Sequence, residues 1–252
     1  MTGAALVTGG AKRIGRAIAL ALADDGYDIA VHYGNSHAEA DALVDAIKAK
    51  GRKAVALSAD LAKESETQPL IAAATKALSQ PINCLINNAS LFERDEALTV
   101  TRESWDAHLD INLRAPFVLM QEFARLLPPT AHGAIVNIID ERVWNLTPHF
   151  VSYSLSKAGL WTLTQTMALA FAPRIRVNAV GPGPTLPSPR QSAEQFAKQS
   201  ESMPLHRGAT PEEIAAAVRV IVGAGAMTGQ MIALDGGQHL AWSQSGTTPQ
   251  TE

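Results

Sequence analysis

Residues 4–15 read Ala4-Ala5-Leu6-Val7-Thr8-Gly9-Gly10-Ala11-Lys12-Arg13-Ile14-Gly15, and this stretch decides the fold. The four apolar residues at its start predict a short buried strand, and a helix-forming run from Arg16 to Ala23 follows the glycines. A strand, a glycine turn and a helix in this order place free backbone N–H groups and the positive end of the helix dipole where a pyrophosphate can bind. The alternative is a tight turn that binds no ligand.

The alternation of strand and helix continues along the chain. Further strands are predicted at 28–33, 54–59, 82–86, 133–139, 175–180 and 230–234. Helices are predicted at 37–50, 64–78, 101–127 and 153–172, and a last one starts at Thr210 with a capping box. Such alternation implies a parallel sheet that is covered on both faces. The predicted fold class is therefore α/β, a Rossmann-like doubly wound parallel sheet of about seven strands with helices on both faces.

Composition restricts the function classes. The 252 residues carry a formal net charge of −3, and no basic run with interleaved aromatic residues predicts nucleic-acid binding. The single cysteine, Cys84, lies in an apolar run and is interpreted as a buried small hydrophobe rather than a reactive thiol. No stretch is long and apolar enough for a membrane span, so a cytoplasmic location is expected. We predict one dinucleotide-binding domain over residues 1–242 and a polar tail over 243–252.

The residues near the glycine turn favour NADP(H) over NAD(H). The second predicted strand does not end in the acid that would bind a ribose hydroxyl. Instead, Lys12 and Arg13 can bind a 2′-phosphate by charge-assisted hydrogen bonds. Ser36 can contribute to the same phosphate, but it is also predicted to cap the next helix in a capping box with Glu39.

Two loops after predicted strands carry candidate binding residues. Asp60 follows the third strand and either reaches an adenine amino group or caps the following helix, and the sequence leaves both roles open. The stretch from Pro184 to about Thr210 is polar and rich in proline. A segment of this length predicts a flap that covers a substrate.

Tyr153 and Lys157 form a candidate acid pair. They are four residues apart in a predicted helix, so both side chains project from one helix face. A nearby ammonium stabilises a phenolate, which should lower the pKa of the tyrosine and help it to give a proton to a substrate. The same lysine can hydrogen-bond a bound sugar. The alternative is two unrelated residues on a solvated face.

Together these motifs resemble the short-chain dehydrogenase/reductase family over the chain up to about Trp242. The matching positions are Thr8 to Gly15, Asp60, Asn87-Asn88-Ala89, Asn112, Tyr153, Lys157, Pro182-Gly183 and Asp235-Gly236-Gly237. The resemblance implies that Tyr153 is the general acid and that Lys157 lowers its pKa and holds the nicotinamide ribose. It also implies that Asn112 anchors a helix-bound water in a proton relay, and that the protein assembles as a homotetramer.

Two departures from the usual pattern narrow the resemblance. Arg13 replaces the middle glycine of the turn, and Asp140 replaces the serine thirteen residues before Tyr153. Together with Asn88-Ala89-Ser90, these two replacements resemble the pattern of pteridine reductases and dihydromonapterin reductases. In that subgroup an aromatic residue two positions after the serine stacks on the pterin, and Phe92 matches, although an isolated Phe can equally be a core residue.

Asn35 departs from the subgroup, which tends to have a basic residue after the second strand. Arg13, Lys12 and Ser36 would then be the main residues that bind a cofactor phosphate.

An aspartate at position 140 suits the reduction of a C=N bond. A ketone needs a neutral donor at its oxygen, whereas a pterin ring nitrogen needs a proton as hydride arrives, and Asp140 beside Tyr153 can hold or relay it. The alternative is a turn residue after the fifth strand. We therefore predict an NADPH-dependent reductase of a dihydropteridine, namely dihydromonapterin, dihydrobiopterin or dihydrofolate. The alternatives are a carbonyl or alcohol dehydrogenase and a non-catalytic NADP(H)-binding protein.

The predicted site comprises three groups of residues. The predicted catalytic residues are Asp140, Tyr153, Lys157 and Asn112. The predicted cofactor-binding residues are Gly9, Lys12, Arg13, Ile14, Gly15, Tyr33, Asn35, Ser36, Asp60, Leu61, Asn88, Ala89, Ser90, Tyr153, Lys157, Pro182 and Gly183. The predicted substrate-binding residues are Arg13, Ser90, Phe92, Asp140 and Tyr153. No metal, nucleic acid or membrane is predicted as a partner.

Overall fold

The computed structural model describes residues 3–188 and 190–240. The predicted tail at 243–252 lies outside these residues. The strands are β1 Ala4–Val7, β2 Asp28–Tyr33, β3 Ala54–Ser58, β4 Ile82–Asn87, β5 Gly133–Ile138, β6 Ile175–Pro182 and β7 Met231–Leu234. The helices are α1 Arg13–Asp24, α2 His37–Ala49, α3 Glu64–Thr67, α4 Leu70–Leu78, α5 Arg102–Leu109, α6 Ala115–Leu126, α7 Val151–Phe171, α8 Ala193–Glu201 and α9 Pro211–Gly223.

The seven strands form one sheet in the order β3-β2-β1-β4-β5-β6-β7, and every pairing is parallel. The predicted doubly wound sheet is confirmed. The strand order reverses at β1, which pairs with both β2 and β4. In such sheets ligands bind beyond the carboxyl ends of the strands at this reversal, so the topology predicts where the site lies.

The core lies on both faces of the sheet, which explains the continuous apolar runs of the strands. In β1, Ala5 and Val7 join a cluster with α1, α2 and α9, while Ala4 and Leu6 join a cluster with α4 and α6 on the other face. Strands buried on both faces need apolar side chains at every position. Cys84 is fully buried in β4, and burial raises the pKa of its thiol to about 12. It is therefore a core residue, as expected.

Three predicted elements differ from the structure. The helix predicted over 64–78 is two helices, α3 and α4, because Pro69 between them has no N–H to donate. The predicted 101–127 helix contains a π-helical turn at Asp110–Arg114, between α5 and α6. The capping box predicted at Ser36 is wrong: among the described residues its side chain accepts no capping bond, and Glu39 pairs with Lys12 at 2.6 Å instead.

The capping box predicted at Thr210 is confirmed, with reciprocal bonds of 3.2 Å and 2.9 Å between Thr210 and Glu213. The predicted flap contains helix α8, which has a capping box of its own between Ser192 and Gln195. None of the helices in the described part of the chain is long and apolar enough to cross a membrane.

Candidate active site

Two adjoining cavities open beyond the carboxyl ends of the central strands. The larger, of about 730 Å³, is lined by the glycine turn, the end of β2 and the loops after β3 and β4. The smaller, of about 260 Å³, is lined by the loop after β5, the start of α7 and the flap. Both are lined by Arg13, Ile14, Asn88 and Ser90. A ligand that occupied the larger cavity could therefore reach the smaller one.

Close packing shapes the glycine turn. Gly9 has a φ of +59°, and a Cβ on it would lie 2.9 Å from the Cα of Ala89. A Cβ on Gly15 would overlap the carbonyl oxygen of Gly9. Arg13 also has a positive φ, +53°, which is uncommon for a residue with a side chain. Arg13 thus adopts a left-handed backbone conformation that favours glycine.

Thr8 and Asn88 brace the reversal point of the sheet. The hydroxyl of Thr8 accepts the N–H groups of Asn88 at 2.9 Å and Ala89 at 3.0 Å. In return the amide of Asn88 donates to the carbonyl oxygens of Thr8 at 2.9 Å and Gly9 at 3.1 Å. These bonds join the ends of β1 and β4 at the base of the larger cavity.

His32 is a site residue that the sequence reasoning missed. It lines the larger cavity, and its Nδ1 accepts the Gly9 N–H at 3.1 Å while its Nε2 faces the Ala59 carbonyl oxygen at 3.1 Å. Because Gly9 can only donate, Nε2 carries the proton of a neutral ring. Burial lowers the pKa of His32, with the bond to Ala59 opposing this. A polar residue inside an otherwise apolar strand was the available signal.

The amino end of α1 provides a site for an anion. Its first residues line the larger cavity, and Lys12, at the N-cap, makes no side-chain capping bond within the described residues. Uncapped N–H groups and the helix dipole favour a phosphate there. Lys12 also lines the cavity, although its ammonium is paired with Glu39. The residues present therefore fit the pyrophosphate of a dinucleotide.

The adenosine end of the larger cavity differs in part from the prediction. Asn35, Asp60 and Leu61 line the cavity. Tyr33 and Ser36 line neither cavity within the described residues, and the hydroxyl of Tyr33 instead bonds to His37 at 2.8 Å. Their cofactor contacts stay predictions.

Asp60 serves a local turn in the structure. Its Oδ1 accepts the N–H of Ala62 at 3.0 Å, and Lys63 lies 3.4 Å from its Oδ2. The sequence left open a helix cap and an adenine contact, but the N-cap of α3 is Lys63, so the bond to Ala62 belongs to a local turn and the helix-capping role is not observed. Contact with an adenine stays a prediction.

Tyr153 and Asp140 form the centre of the smaller cavity. The phenol donates a hydrogen bond of 2.7 Å to Oδ2 of Asp140, whose other oxygen accepts the Arg142 N–H at 2.9 Å. Asp140 therefore caps the short 3-10 turn Glu141–Val143, and this cap aims the carboxylate at the phenol. The geometry brings together the two residues that the thirteen-residue spacing paired.

The electrostatics of Tyr153 are opposite to the expected direction. The pKa of Tyr153 is raised well above its ordinary value, first by burial and then by the negative charge and hydrogen bond of Asp140. Lys157 is also buried, and its Nζ donates to the Ile138 carbonyl oxygen at 3.0 Å. Burial lowers the pKa of Lys157 to about 8, with Asp140 opposing this. The prediction that Lys157 lowers the pKa of Tyr153 is wrong here, because burial and Asp140 dominate.

Phe92 lines the smaller cavity within an aromatic cluster. It stacks on Phe150 with centroids 4.6 Å apart and meets Tyr153 edge-on at 4.7 Å. The guanidinium of Arg190, from the flap, lies 5.3 Å from the ring centroid. The guanidinium of Arg142 lies 5.4 Å from the same centroid, so Phe150 and two guanidiniums already contact the ring on which a flat ligand would have to stack. The platform role therefore stays a prediction.

Asn112 lies in the π-helical turn and is fully buried. Its amide donates to the Leu91 carbonyl oxygen at 2.9 Å and to the Ser156 hydroxyl at 3.0 Å, and its oxygen accepts the Leu91 N–H at 2.8 Å. The side chain thus fastens the loop after β4 to α7. Its predicted role as a water anchor stays a prediction.

A buried polar network that sequence reasoning missed holds the start of α7. Asp95 accepts the Ser152 hydroxyl, the Ser152 N–H at 3.2 Å and the Ser104 hydroxyl at 3.2 Å. His108 Nε2 accepts the Glu93 N–H at 3.1 Å, so its Nδ1–H faces Ser152 at 2.8 Å. These residues are far apart in sequence, and only the fold shows that they position the residue before Tyr153.

The flap is fastened at both sides of the smaller cavity. Arg13 donates to the carbonyl oxygens of Leu186 and Pro187 at 3.2 Å and 3.1 Å. Arg190 donates to Glu93 and to the Phe92 carbonyl oxygen, both at 2.7 Å. The flap residues contribute to the cavity wall, so the predicted covering segment does lie over the site.

The structure gathers most of the predicted site residues around the two cavities. Those that line the larger cavity are Gly9, Lys12, Arg13, Ile14, Gly15, Asn35, Asp60, Leu61, Asn88, Ala89 and Ser90. Those that line the smaller are Arg13, Ile14, Asn88, Ser90, Phe92, Asp140, Tyr153, Lys157, Pro182 and Gly183. Their roles toward ligands stay predictions.

Comparison with solved structures finds FolM alternative dihydrofolate reductase 1 of Brucella canis, complexed with NADP. It is 45% identical, with a TM-score of 0.93 and 97% of each chain covered. The same protein of Brucella suis, also with NADP, is 46% identical, with a TM-score of 0.92 and 96% of each chain covered.

Among curated proteins, a 3-oxoacyl-[acyl-carrier-protein] reductase of Staphylococcus epidermidis is 34% identical over 245 residues. The match covers 95% of this chain and 100% of that protein. The family model described as enoyl-(acyl carrier protein) reductase matches residues 9–239. With its parallel sheet, glycine turn and Tyr153/Lys157 pair, the chain belongs to the short-chain dehydrogenase/reductase family.

Proposed function

We propose that this protein is an NADPH-dependent reductase that transfers hydride to a dihydropteridine, with dihydromonapterin, dihydrobiopterin and dihydrofolate as candidate substrates. The observation that carries the proposal is the 2.7 Å hydrogen bond from Tyr153 to Asp140. The two Brucella structures support it, because both are of proteins called dihydrofolate reductases and both hold NADP.

The larger cavity is the proposed place of the cofactor. The amino end of α1 would hold the pyrophosphate. Lys12, Arg13 and Asn35 also line this cavity and would bind a 2′-phosphate, Arg13 by exchanging its bonds to the Leu186 and Pro187 carbonyl oxygens. Lys157 would bind the nicotinamide ribose from the smaller cavity. When bound, NADPH supplies the hydride.

The Tyr153–Asp140 pair supplies the proton. Reduction of a C=N bond adds hydride to the carbon and one proton to the nitrogen, so the ring gains two electrons and one N–H bond. Because the raised pKa of Tyr153 keeps the phenol protonated, its O–H can be shared between Asp140 and a substrate nitrogen. Asp140 can then take up a proton from solvent and pass it to Tyr153. Tyr153 itself is buried, which limits competition from water for its proton.

A ketone is a poorer substrate for this arrangement. Its oxygen becomes negative as hydride arrives, and the carboxylate that accepts the phenol's hydrogen bond would repel it. The second candidate function is nevertheless reduction of a carbonyl, since the relative from Staphylococcus epidermidis is a 3-oxoacyl reductase. The two functions differ in what Asp140 must do.

The experiment is an NADPH oxidation assay with the three dihydropteridines, a ketone panel and a 3-oxoacyl thioester. The wild-type protein should turn over a dihydropteridine, and Asp140→Ser should lose this activity by about 10²- to 10⁴-fold while it gains carbonyl activity. Asp45→Ser, a change of an exposed aspartate in α2, is the matched control. Carbonyl turnover without turnover of any dihydropteridine would sink the proposal.

A further inference from the structure

Two buried polar side chains line the smaller cavity without a part in the proton transfer. Glu141 is 2% exposed and Gln238 is 7% exposed. They belong to two short 3-10 turns, Glu141–Val143 and Gln238–Leu240, that pack against each other. Glu141 directly follows Asp140, so the pair lies beside the reacting groups.

Each of these side chains presents an unpaired oxygen. Glu141 Oε2 and Gln238 Oε1 are both buried and have no hydrogen-bond partner among residues 3–188 and 190–240. Burying an oxygen without a donor is unfavourable, and native proteins rarely do so. Two such atoms on one cavity wall indicate that a ligand supplies the missing donors.

The backbone holds Gln238 in place. Its Oε1 lies 3.1 Å from the position that a Cβ on Gly183 would take, so Gly183 leaves room for the amide. Asp235 fixes the turn by accepting the N–H groups of Gly237 at 3.0 Å and His239 at 2.7 Å. The backbone that carries the Gln238 amide is therefore held in place.

The electrostatic surroundings favour the neutral form of Glu141, and hydrogen-bond donors from a ligand would reverse this preference. Burial raises the pKa of Glu141 to about 8, with Asp140 and Asp235 adding to the rise and Arg142 opposing it. Hydrogen bonds from a ligand to the carboxylate would favour its charged form. A ligand that brings neighbouring N–H groups would thus gain a charge-assisted contact.

We propose that Glu141 and Gln238 bind the donor edge of the substrate, formed by the ring N–H and the exocyclic amino group of a 2-amino-4-oxopteridine. Two acceptors on the protein then meet two donors on one flat ring. This inference rests on the proposed function, which it deepens by naming the residues that select the amino-bearing ring. Neither residue is needed for the proton transfer.

The experiment compares equilibrium binding of pterin and lumazine to the full-length protein, with and without saturating NADP⁺. Lumazine carries a carbonyl where pterin carries the amino group, so one donor becomes an acceptor that faces Glu141. Wild-type protein should bind pterin about 10- to 100-fold more tightly than lumazine. Glu141→Leu should reduce this ratio to about threefold or less, because the acceptor is lost.

Two further variants complete the test. Gln238→Leu should weaken pterin binding by about tenfold, which is the effect of one lost hydrogen bond. Glu212→Leu, at an exposed glutamate in the first turn of α9, should leave the ratio unchanged. Thermal melting shows which variants are folded. If Glu141→Leu is not folded, the affinity of Gln238→Leu for pterin tests the inference.

The outcomes separate this inference from the proposed function. An unchanged ratio in folded Glu141→Leu overturns the inference even where dihydropteridines are reduced, and so does unchanged pterin binding in folded Gln238→Leu or a wild-type protein that binds neither compound. A ratio that depends on Glu141 supports it even where no dihydropteridine is turned over. In that case only the proposed reaction fails.

Discussion

Tyr153→Phe removes one oxygen from the smaller cavity and leaves the ring in place. The lost bond is the 2.7 Å contact with Asp140, and hydrogen bonds to charged groups contribute about 1.5–3 kcal/mol to stability. We therefore expect the free energy of unfolding to fall by about 1–3 kcal/mol. The rate of dihydropteridine reduction should fall by about 10²- to 10⁴-fold, the usual contribution of a positioned acid. NADPH affinity should stay nearly constant, because Lys157 is retained.

Tyr27→Phe is the matched control. Tyr27 is buried, and its hydroxyl has no hydrogen-bond partner in the described part of the chain. Burial of an unpaired hydroxyl costs about 1–3 kcal/mol, so its removal should leave stability unchanged or raise it by about 1 kcal/mol. Activity should be unaffected, because Tyr27 lies in the core beneath α1 and α2 rather than at the cavities.

The assays are urea unfolding, equilibrium NADPH binding and steady-state NADPH oxidation with the best dihydropteridine. Tyr153→Phe should lower both stability and activity, whereas Tyr27→Phe should keep activity and leave stability unchanged or higher. If Tyr153→Phe kept activity within about fivefold of wild type, the phenol would not be the proton donor and the reasoning about the pair would be refuted.

Three further predictions follow from named side chains. The pKa of Lys157 is lowered to about 8, so the ammonium that would hold the ribose is lost as the pH rises above 8. NADPH affinity, measured by fluorescence titration, should therefore fall above pH 8, and an affinity that does not change with pH would contradict this. Burial depresses the pKa of His32 in the folded protein, so below about pH 6.5 the unfolded chain takes up a proton that the folded protein does not. The free energy of unfolding should therefore fall by up to about 1.4 kcal/mol per pH unit as the pH is lowered. Urea unfolding should show a smaller fall in His32→Asn. Gly15→Ala should destabilise the protein by about 1–3 kcal/mol and weaken NADPH binding, since its Cβ would overlap the Gly9 carbonyl oxygen; a wild-type melting temperature would argue against that packing.

Much of the fold could be predicted because its signals are local. The apolar run of β1, the glycine turn and the start of α1 lie within about twenty consecutive residues, and their periodicity reflects burial on both faces of the sheet. Side-chain caps could not be predicted where another element competes for the side chain. Glu39, predicted to complete a capping box with Ser36, pairs with Lys12 from another element.

The candidate site divides in the same way. The spacing of Asp140, Tyr153 and Lys157 on a strand end and a helix was enough to predict that they share a cavity, and they do. The network of Asp95, His108 and Ser152 could not be predicted, because it joins residues up to 57 positions apart that only the packing of α5 against α7 brings together.

The amino-acid sequence by itself determined the parallel sheet, the family and the residues that meet at the strand ends, because periodicity, glycine turns and fixed spacings act through neighbouring residues. The tertiary structure alone decided the direction of the Tyr153 pKa, since burial and the approach of Asp140 raise it and outweigh the opposing charge of Arg142. It also decided that Glu141 and Gln238 end on one cavity wall with unpaired oxygens. Burial and distance between segments remote in sequence are properties of the folded chain, and they set its chemistry.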